Sequence, residues 1–172
     1  MNVFFYTVWG EYFIDNFLKY SFNCLNENLK SIPQERLCNS KIEIWTKKTD
    51  AKIIKKNNLF KTLIKKININ FVYIDDLLLI NEISKYERLA IMQNIFITSH
   101  FLKYKYLWFF YPDSVFDSKL VKNCMKKIKS NNPDIILMPV PQIDEEPIIR
   151  EFKKKKISNL DIKKLIRNNL HE

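Results

Sequence analysis

The chain switches between short apolar runs and longer stretches with apolar residues three or four positions apart. Val3 to Val8 (VFFYTV) is a run of β-branched and aromatic residues, which predicts a buried strand. Trp9-Gly10-Glu11 ends it. From Tyr12 to Leu29, Phe13, Phe17, Tyr20, Cys24 and Leu25 recur at helical spacing and predict an amphipathic helix, with Pro33 beyond its end. Lys41 to Thr46 (KIEIWT) alternates as a second strand. Lys47 to Lys66 predicts one or two helices, with Ile53, Ile54, Phe60, Leu63, Ile64 and Ile67 as the apolar face. Ile69 to Ile74 (INFVYI) is a third strand, closed by Asp75-Asp76.

A long helix is expected from about Ser84 to Lys103, with Tyr86, Leu89, Ala90, Gln93, Ile97 and Phe101 on one side. Tyr106 to Tyr111 (YLWFFY) is apolar or aromatic throughout, which suits a central strand covered on both faces. Pro112-Asp113-Ser114 breaks it. Asp117 or Ser118 can cap a helix to about Lys129. After the Asn131-Asn132-Pro133 turn, Asp134 to Met138 (DIILM) is a fifth strand. Pro139, Pro141 and Pro147 make the next segment irregular, and Ser158 caps a last helix to Leu170.

Strands and helices therefore alternate. The expectation is an α/β fold: a mostly parallel sheet of about five strands with helices on both faces. Ligands in such sheets bind beyond the carboxyl ends of the strands. That rule selects Trp9-Gly10-Glu11, Thr46, Asp75-Asp76 and Pro112-Asp113-Ser114.

Composition narrows the chemistry. With one glycine in 172 residues, no glycine-rich phosphate loop can exist. Cys24, Cys38 and Cys124 are widely spaced without a CxxC pair, so buried thiols in a reducing cytosol are expected. The start has no basic leader, and no apolar run is long enough to span a membrane. The net charge of +10 is uneven: Arg150 to Glu172 carries +5, leaving +5 for the other 149 residues. Lysine outnumbers arginine 25 to 4 beside abundant Ile and Asn, so a solvated, compositionally biased surface accounts for much of the charge. The chain is divided at 149/150, with a sheet domain first and a basic tail after it.

Asp113 is the most informative acid, because it follows a wholly apolar strand and sits at the sheet rim. It can bind a divalent cation that bridges two phosphates, or simply form the turn after Pro112. Asp75 and Asp76 end the third strand in the same way, as partners for a base or ribose or as solvated loop acids. Gly10 marks a backbone with positive φ, a close ligand approach or a simple turn. Lys85 opens the long helix and can neutralise a phosphate, or be one surface lysine among many. His100 is expected as a packed or helix-surface residue. Asp144, Glu145 and Glu146 form an acidic cluster that either faces a substrate or is solvated.

The segments VFFYTVWGEYFIDNFLKYS, KIEIWTKKTDAKIIKK, INFVYIDD, KYERLAIMQ, YLWFFYPDSVFDSKLV and DIILMPVPQIDEE, in that order, resemble a family of bacterial glycosyltransferase-like proteins. Those have the GT-A, nucleotide-diphospho-sugar transferase fold. The resemblance spans roughly Val3 to Glu146, and Ser158 to His171 resembles the helix that follows in the family. It implies a Rossmann-like sheet whose carboxyl edge binds a nucleotide-sugar. Thr7, Val8, Trp9, Gly10 and Glu11 would contact the nucleotide, with Asp75 or Asp76 near its base or ribose. Asp113, followed by Ser114, would stand for the metal-binding acid of the family's D-x-D signature, so Mg²⁺ or Mn²⁺ is the implied cofactor. Here Tyr111-Pro112-Asp113 supplies one acid where the family has two, and the chain ends soon after the fifth strand.

Three functions follow. In the first, the chain transfers a sugar from a nucleotide donor to a glycan or lipid-linked acceptor. Lys85 or a metal on Asp113 would stabilise the leaving diphosphate, and Asp144, Glu145 or Glu146 would be the base. In the second it is a truncated, non-catalytic remnant that needs a partner chain. In the third it is a basic module that binds nucleic acid or an anionic membrane surface through Lys153 to Lys156 and the last helix, nucleic acid being the less expected partner. The expected location is the cytoplasm, at most peripheral at the inner membrane face.

Overall fold

Four strands form one all-parallel sheet in the computed structural model, which describes residues 2–37, 39–117, 119–131 and 136. They are β1 (Asn2–Thr7), β2 (Lys41–Thr46), β3 (Asn68–Tyr73) and β4 (Tyr106–Phe110). Their order is β3-β2-β1-β4. The chain adds β2 and β3 on one side of β1, then returns to lay β4 on the other. Phe5 is thereby opposite both Glu43 and Phe109, and Glu43 is opposite Asn70. Two compact units are present, Met1–Lys122 and Asn123–Glu172, and the sheet belongs to the first. The expected fifth strand, the acidic cluster at 144–146, the 149/150 boundary and the basic tail lie outside the described residues.

β1 is buried at every position and β2 at all but its first. These are the doubly covered strands that an apolar parallel sheet requires. The all-apolar β4 differs from its expected central place: among the described residues its one strand neighbour is β1, and Phe109 is 37% exposed. Its aromatic content has another use. Trp108 and Phe110 stack on Phe4 at 5.7 and 6.4 Å, and Phe109 meets Phe5 edge-on at 5.5 Å. Such cross-strand pairs hold one strand to the next.

The helical elements are α1 (Glu11–Asn16), a π-helical turn at Phe17–Ser21, α2 (Phe22–Lys30), α3 (Gln34–Leu37), α4 (Lys48–Lys56), α5 (Asn58–Leu63), α6 (Asp75–Leu78), α7 (Lys85–His100) and α8 (Leu120–Asn131). α1, the π turn and α2 run on with helical backbone at both joins, where one helix was expected. The wider turn keeps Phe17 and Phe22, five residues apart, in contact at 4.8 Å, both fully buried. Phe17 packs on Tyr6 of β1. α7 covers the other face of the sheet, where Val3, Phe5 and Trp45 pack with Met92 and Phe96. Helices therefore lie on both faces. No helix among the described residues is long and apolar enough to cross a membrane.

α7 turns a different side to the sheet from the expected one. Met92, Phe96 and His100 are buried, whereas Tyr86, Ile97 and Phe101 are exposed. Both sets recur at helical spacing, so periodicity alone could not choose. The choice falls to contact with the sheet, where Phe96 stacks on Phe5 at 4.3 Å. The start of α7 is fixed by a capping box: Glu87 N–H donates to Ser84 Oγ at 3.2 Å, and Ser84 N–H donates to Glu87 Oε2 at 2.6 Å. Those bonds hold the exposed Glu87 carboxyl below its usual range.

Candidate functional site, a cleft at the carboxyl edge of the sheet

The strand order reverses between β1 and β4. A parallel sheet opens a crevice at such a point. A cleft of about 180 Å³ lies there. Thr7, Val8 and Trp9 line it from the end of β1, and Tyr111, Pro112 and Asp113 from the end of β4. Phe13 of α1 and Lys85, Tyr86 and Leu89 from the first turns of α7 complete the wall.

Each wall is anchored locally. Val8 N–H donates to Trp45 O at 3.0 Å, which carries the β1–β2 ladder past the end of β1. Gly10 then turns with φ 86° and ψ 144° and starts α1, its carbonyl accepting from Ile14 N–H at 3.0 Å. A Cβ there would meet nothing within 4 Å, so glycine is required by the backbone angle and not by space. Gly10 N–H donates to Asp50 Oδ2 of α4 at 2.9 Å. On the other side, Ser114 N–H donates to Tyr111 O at 3.2 Å and closes the turn that leaves Asp113 exposed at the rim.

Trp9, Phe13, Tyr86 and Tyr111 give the cleft aromatic walls, and among the described residues Lys85 and Asp113 are the charged ones of its lining. Lys85 Nζ sits 4.8 Å from the centre of the Phe13 ring. A cation over a ring face is attracted by the ring's quadrupole. Tyr86 lines the cleft and is 79% exposed. The site suits a flat ring held between aromatic faces with an anionic group beside the lysine.

Of the expected residues, Thr7, Val8, Trp9, Lys85 and Asp113 come together here. Gly10, Glu11 and Ser114 adjoin the lining without entering it. Asp75 and Asp76 do not line the cleft. Asp75 instead accepts from Lys48 N–H at 3.1 Å (Oδ2) and 3.4 Å (Oδ1), holding the first turn of α4. Asp76 is exposed in the first turn of α6. Thr46 is fully buried, and its Oγ1 has no hydrogen-bond partner among the described residues. Asp144, Glu145 and Glu146 lie outside the described residues. Phe13, Tyr86, Leu89, Tyr111 and Asp50 were not expected at the site: Phe13, Tyr86 and Leu89 were read as helix-face residues and Tyr111 as the end of a strand. Asp50 sits at a polar position in the first turn of α4, which alone reads as a solvated helix acid.

Glu43 was also missed, and it lies away from the cleft. Its buried carboxylate accepts from Lys41 Nζ at 2.6 Å and Trp45 Nε1 at 2.9 Å, with His100 Nε2 at 3.2 Å. Burial raises its pKa, but the bonds from Lys41 and Trp45 and the charges of Lys41 and His100 outweigh it and hold the carboxyl below its usual range. His100 is packed between Phe96 and Tyr104, its Nδ1 2.9 Å from Phe96 O.

No group of three or more His, Cys, Asp or Glu side chains among the described residues is placed to hold a metal ion. Asp113 is the one carboxylate of the cleft lining. Comparison of the chain with protein-family models, curated proteins and solved structures gives no match.

Proposed function

We propose that the chain is a GT-A-like glycosyltransferase that binds a nucleotide-diphospho-sugar in this cleft and passes the sugar to a glycan or lipid-linked acceptor. The observation that carries the proposal is the position of the cleft: the carboxyl edge of a parallel sheet, between β1 and β4, where the strand order reverses. That is the nucleotide-binding place of a Rossmann-like sheet. The lining supports it. A base stacks among Trp9, Phe13, Tyr86 and Tyr111, and the Lys85 ammonium neutralises a phosphate. Asp113 accepts from a ribose or sugar hydroxyl. About 180 Å³ is less than the roughly 300–1,000 Å³ of pockets that enclose a whole drug-sized ligand. The cleft thus takes the ring, and the diphospho-sugar runs along the exposed rim past Asp113.

In the transfer, an acceptor hydroxyl oxygen forms the new bond to the anomeric carbon. The bond from that carbon to the diphosphate oxygen breaks, and its electron pair leaves with the diphosphate. Lys85 stabilises that developing charge. The hydroxyl proton goes to a carboxylate. Asp144, Glu145 and Glu146, the candidates expected from sequence, lie outside the described residues. Among the described residues the lining offers Asp113 as its carboxylate, and one carboxylate binds Mg²⁺ or Mn²⁺ weakly. Any such ion would arrive on the donor diphosphate.

A second reading, binding of the donor without transfer, is favoured by Asp113 being the one carboxylate among the described residues of the lining, since it cannot be both ligand and base. The test begins with thermal shift against UDP- and GDP-sugars, with and without Mg²⁺ or Mn²⁺. A ligand at 100 times its Kd stabilises the folded state by about 2.7 kcal/mol. Lys85→Ala should weaken the shift in every condition, and Asp113→Asn should remove its metal-dependent part. A panel that shifts nothing sinks both readings. A donor left intact after long incubation with acceptors leaves the binding one.

A further inference from the structure

The strand-to-helix turns at the carboxyl edge are tied to one another by side-chain carboxylates. Asp75, following β3, accepts from Lys48 N–H at the start of α4. Asp50, one helical turn in from the start of α4, accepts from Gly10 N–H at the start of α1. The β1 turn that lines the cleft is therefore set by the β2 turn, which is in turn held by the residue after β3. Asp50 is only 9% exposed, and its bond to Gly10 spans forty positions of sequence. Gly10 has positive φ, and its amide belongs to the peptide plane that follows Trp9, a residue of the cleft lining.

We propose that Asp50 is a positioning residue for the cleft: its carboxylate fixes the Gly10 amide and so holds Thr7 and Trp9 opposite Pro112 and Asp113. The proposal rests on the cleft being the donor site. Asp50 touches no ligand. With the acceptor removed, Gly10 N–H is left part-buried without a partner, and the turn gains other conformations. A ligand then binds only the fraction of molecules with the turn in place, which lowers its apparent affinity by that fraction.

Gly10 is the chain's only glycine, so ¹⁵N-glycine labelling gives one amide signal that reads this turn directly. In Asp50→Ala the Gly10 amide should exchange with solvent roughly tenfold faster or more, whereas Asp50→Asn, which keeps an acceptor oxygen, should stay close to wild type. The Kd for UDP- or GDP-sugar should rise about tenfold in Asp50→Ala and less than about threefold in Asp50→Asn. A lower melting temperature with unchanged Gly10 exchange and unchanged Kd would mean a merely structural role and overturn the proposal. So would an Asp50→Asn variant as impaired as Asp50→Ala. If the wild type binds no nucleotide-sugar, the donor-site reading fails by itself, and the Gly10 exchange rates and quenching of Trp9 by acrylamide decide the positioning role. The wild-type chain also gives a test that needs no variant to fold. Labelled with ¹⁵N-glycine and ¹³C-aspartate, it should show a coupling across the hydrogen bond from Gly10 to an aspartate carboxyl carbon, and its absence overturns the contact.

Discussion

Replacing Glu43 by glutamine tests the most concentrated set of buried polar contacts in the sheet. The side chains are nearly equal in volume, so no cavity confuses the result. Lys41 Nζ at 2.6 Å and Trp45 Nε1 at 2.9 Å donate to the carboxylate, and His100 Nε2 lies 3.2 Å from it. Glutamine keeps one acceptor oxygen but turns an NH₂ group toward the remaining donors. It also strands the Lys41 charge, whose side chain is only 17% exposed. Breaking a buried ion pair costs roughly 3–5 kcal/mol. Lys41 can turn part of the way to water, so about 3 kcal/mol, the lower end, is expected at neutral pH. For a domain of 150–250 residues that lowers the melting temperature by about 6–12 °C.

The pH dependence has a definite sign. Glu43 titrates lower in the folded chain than its ordinary value. Its stabilisation is therefore fully present above the unfolded glutamate pKa of about 4.3, and it is lost as pH falls through the lower folded value. The gap between wild type and Glu43→Gln should close on acidification. Urea unfolding followed by tryptophan fluorescence, repeated from neutral pH downwards, reads both quantities. A loss under about 1 kcal/mol at pH 7, or a gap that widens in acid, would refute the reasoning.

Two further substitutions probe the frame of the cleft. Gly10→Ala should cost about 1–3 kcal/mol, because φ 86° is unfavourable for any residue with a Cβ although the Cβ itself meets open space; denaturant unfolding that shows no loss would mean the turn has another conformation. Phe96→Ala removes a fully buried ring that stacks on Phe5 at 4.3 Å and meets Phe109 edge-on at 5.4 Å. It should cost about 3–5 kcal/mol in the same assay, while Phe101→Ala, on the exposed side of α7, should be near neutral.

The strands were legible because their apolar runs are short and bounded: the expected Lys41 to Thr46 is β2 itself, and the first, third and fourth strands agree within a residue or so at each end. The helix faces were less so. KYERLAIMQNIFITSH carries apolar residues around most of its circumference, so two helical stripes compete and only contact with Phe5 selects the one holding Met92 and Phe96. The π turn was missed because the expected stripe held Phe17 and left out Phe22, which an α-helix would set about 140° around from it and the wider turn brings alongside. Glu43 was hidden by alternation. KIEIWT reads as one wet and one dry face, but a doubly covered strand has two dry faces, and the polar side is satisfied by His100 from 57 residues away. The cleft shows the same division. Thr7 to Trp9 and Pro112-Asp113 follow from strand ends, whereas Phe13, Leu89 and Asp50 depend on how helices settle against the sheet.

Four of the described carboxylates build the frame around the cleft without lining it. Glu43 holds Lys41 and His100 beneath α7, Glu87 caps the start of α7, and Asp75 and Asp50 fix the starts of α4 and α1. Asp50 and Glu87 carry the two opposite walls: one holds Gly10 beside Trp9, and the other holds the turn that presents Lys85 and Tyr86. The walls are anchored by separate bonds, so they should fail separately. Losing the capping box with Ser84→Ala should loosen the Lys85 and Tyr86 side and cost about 0.5–2 kcal/mol, yet leave the Gly10 amide unchanged. A Gly10 exchange rate that moves with Ser84→Ala would show instead that the two walls open together, as one cooperative element.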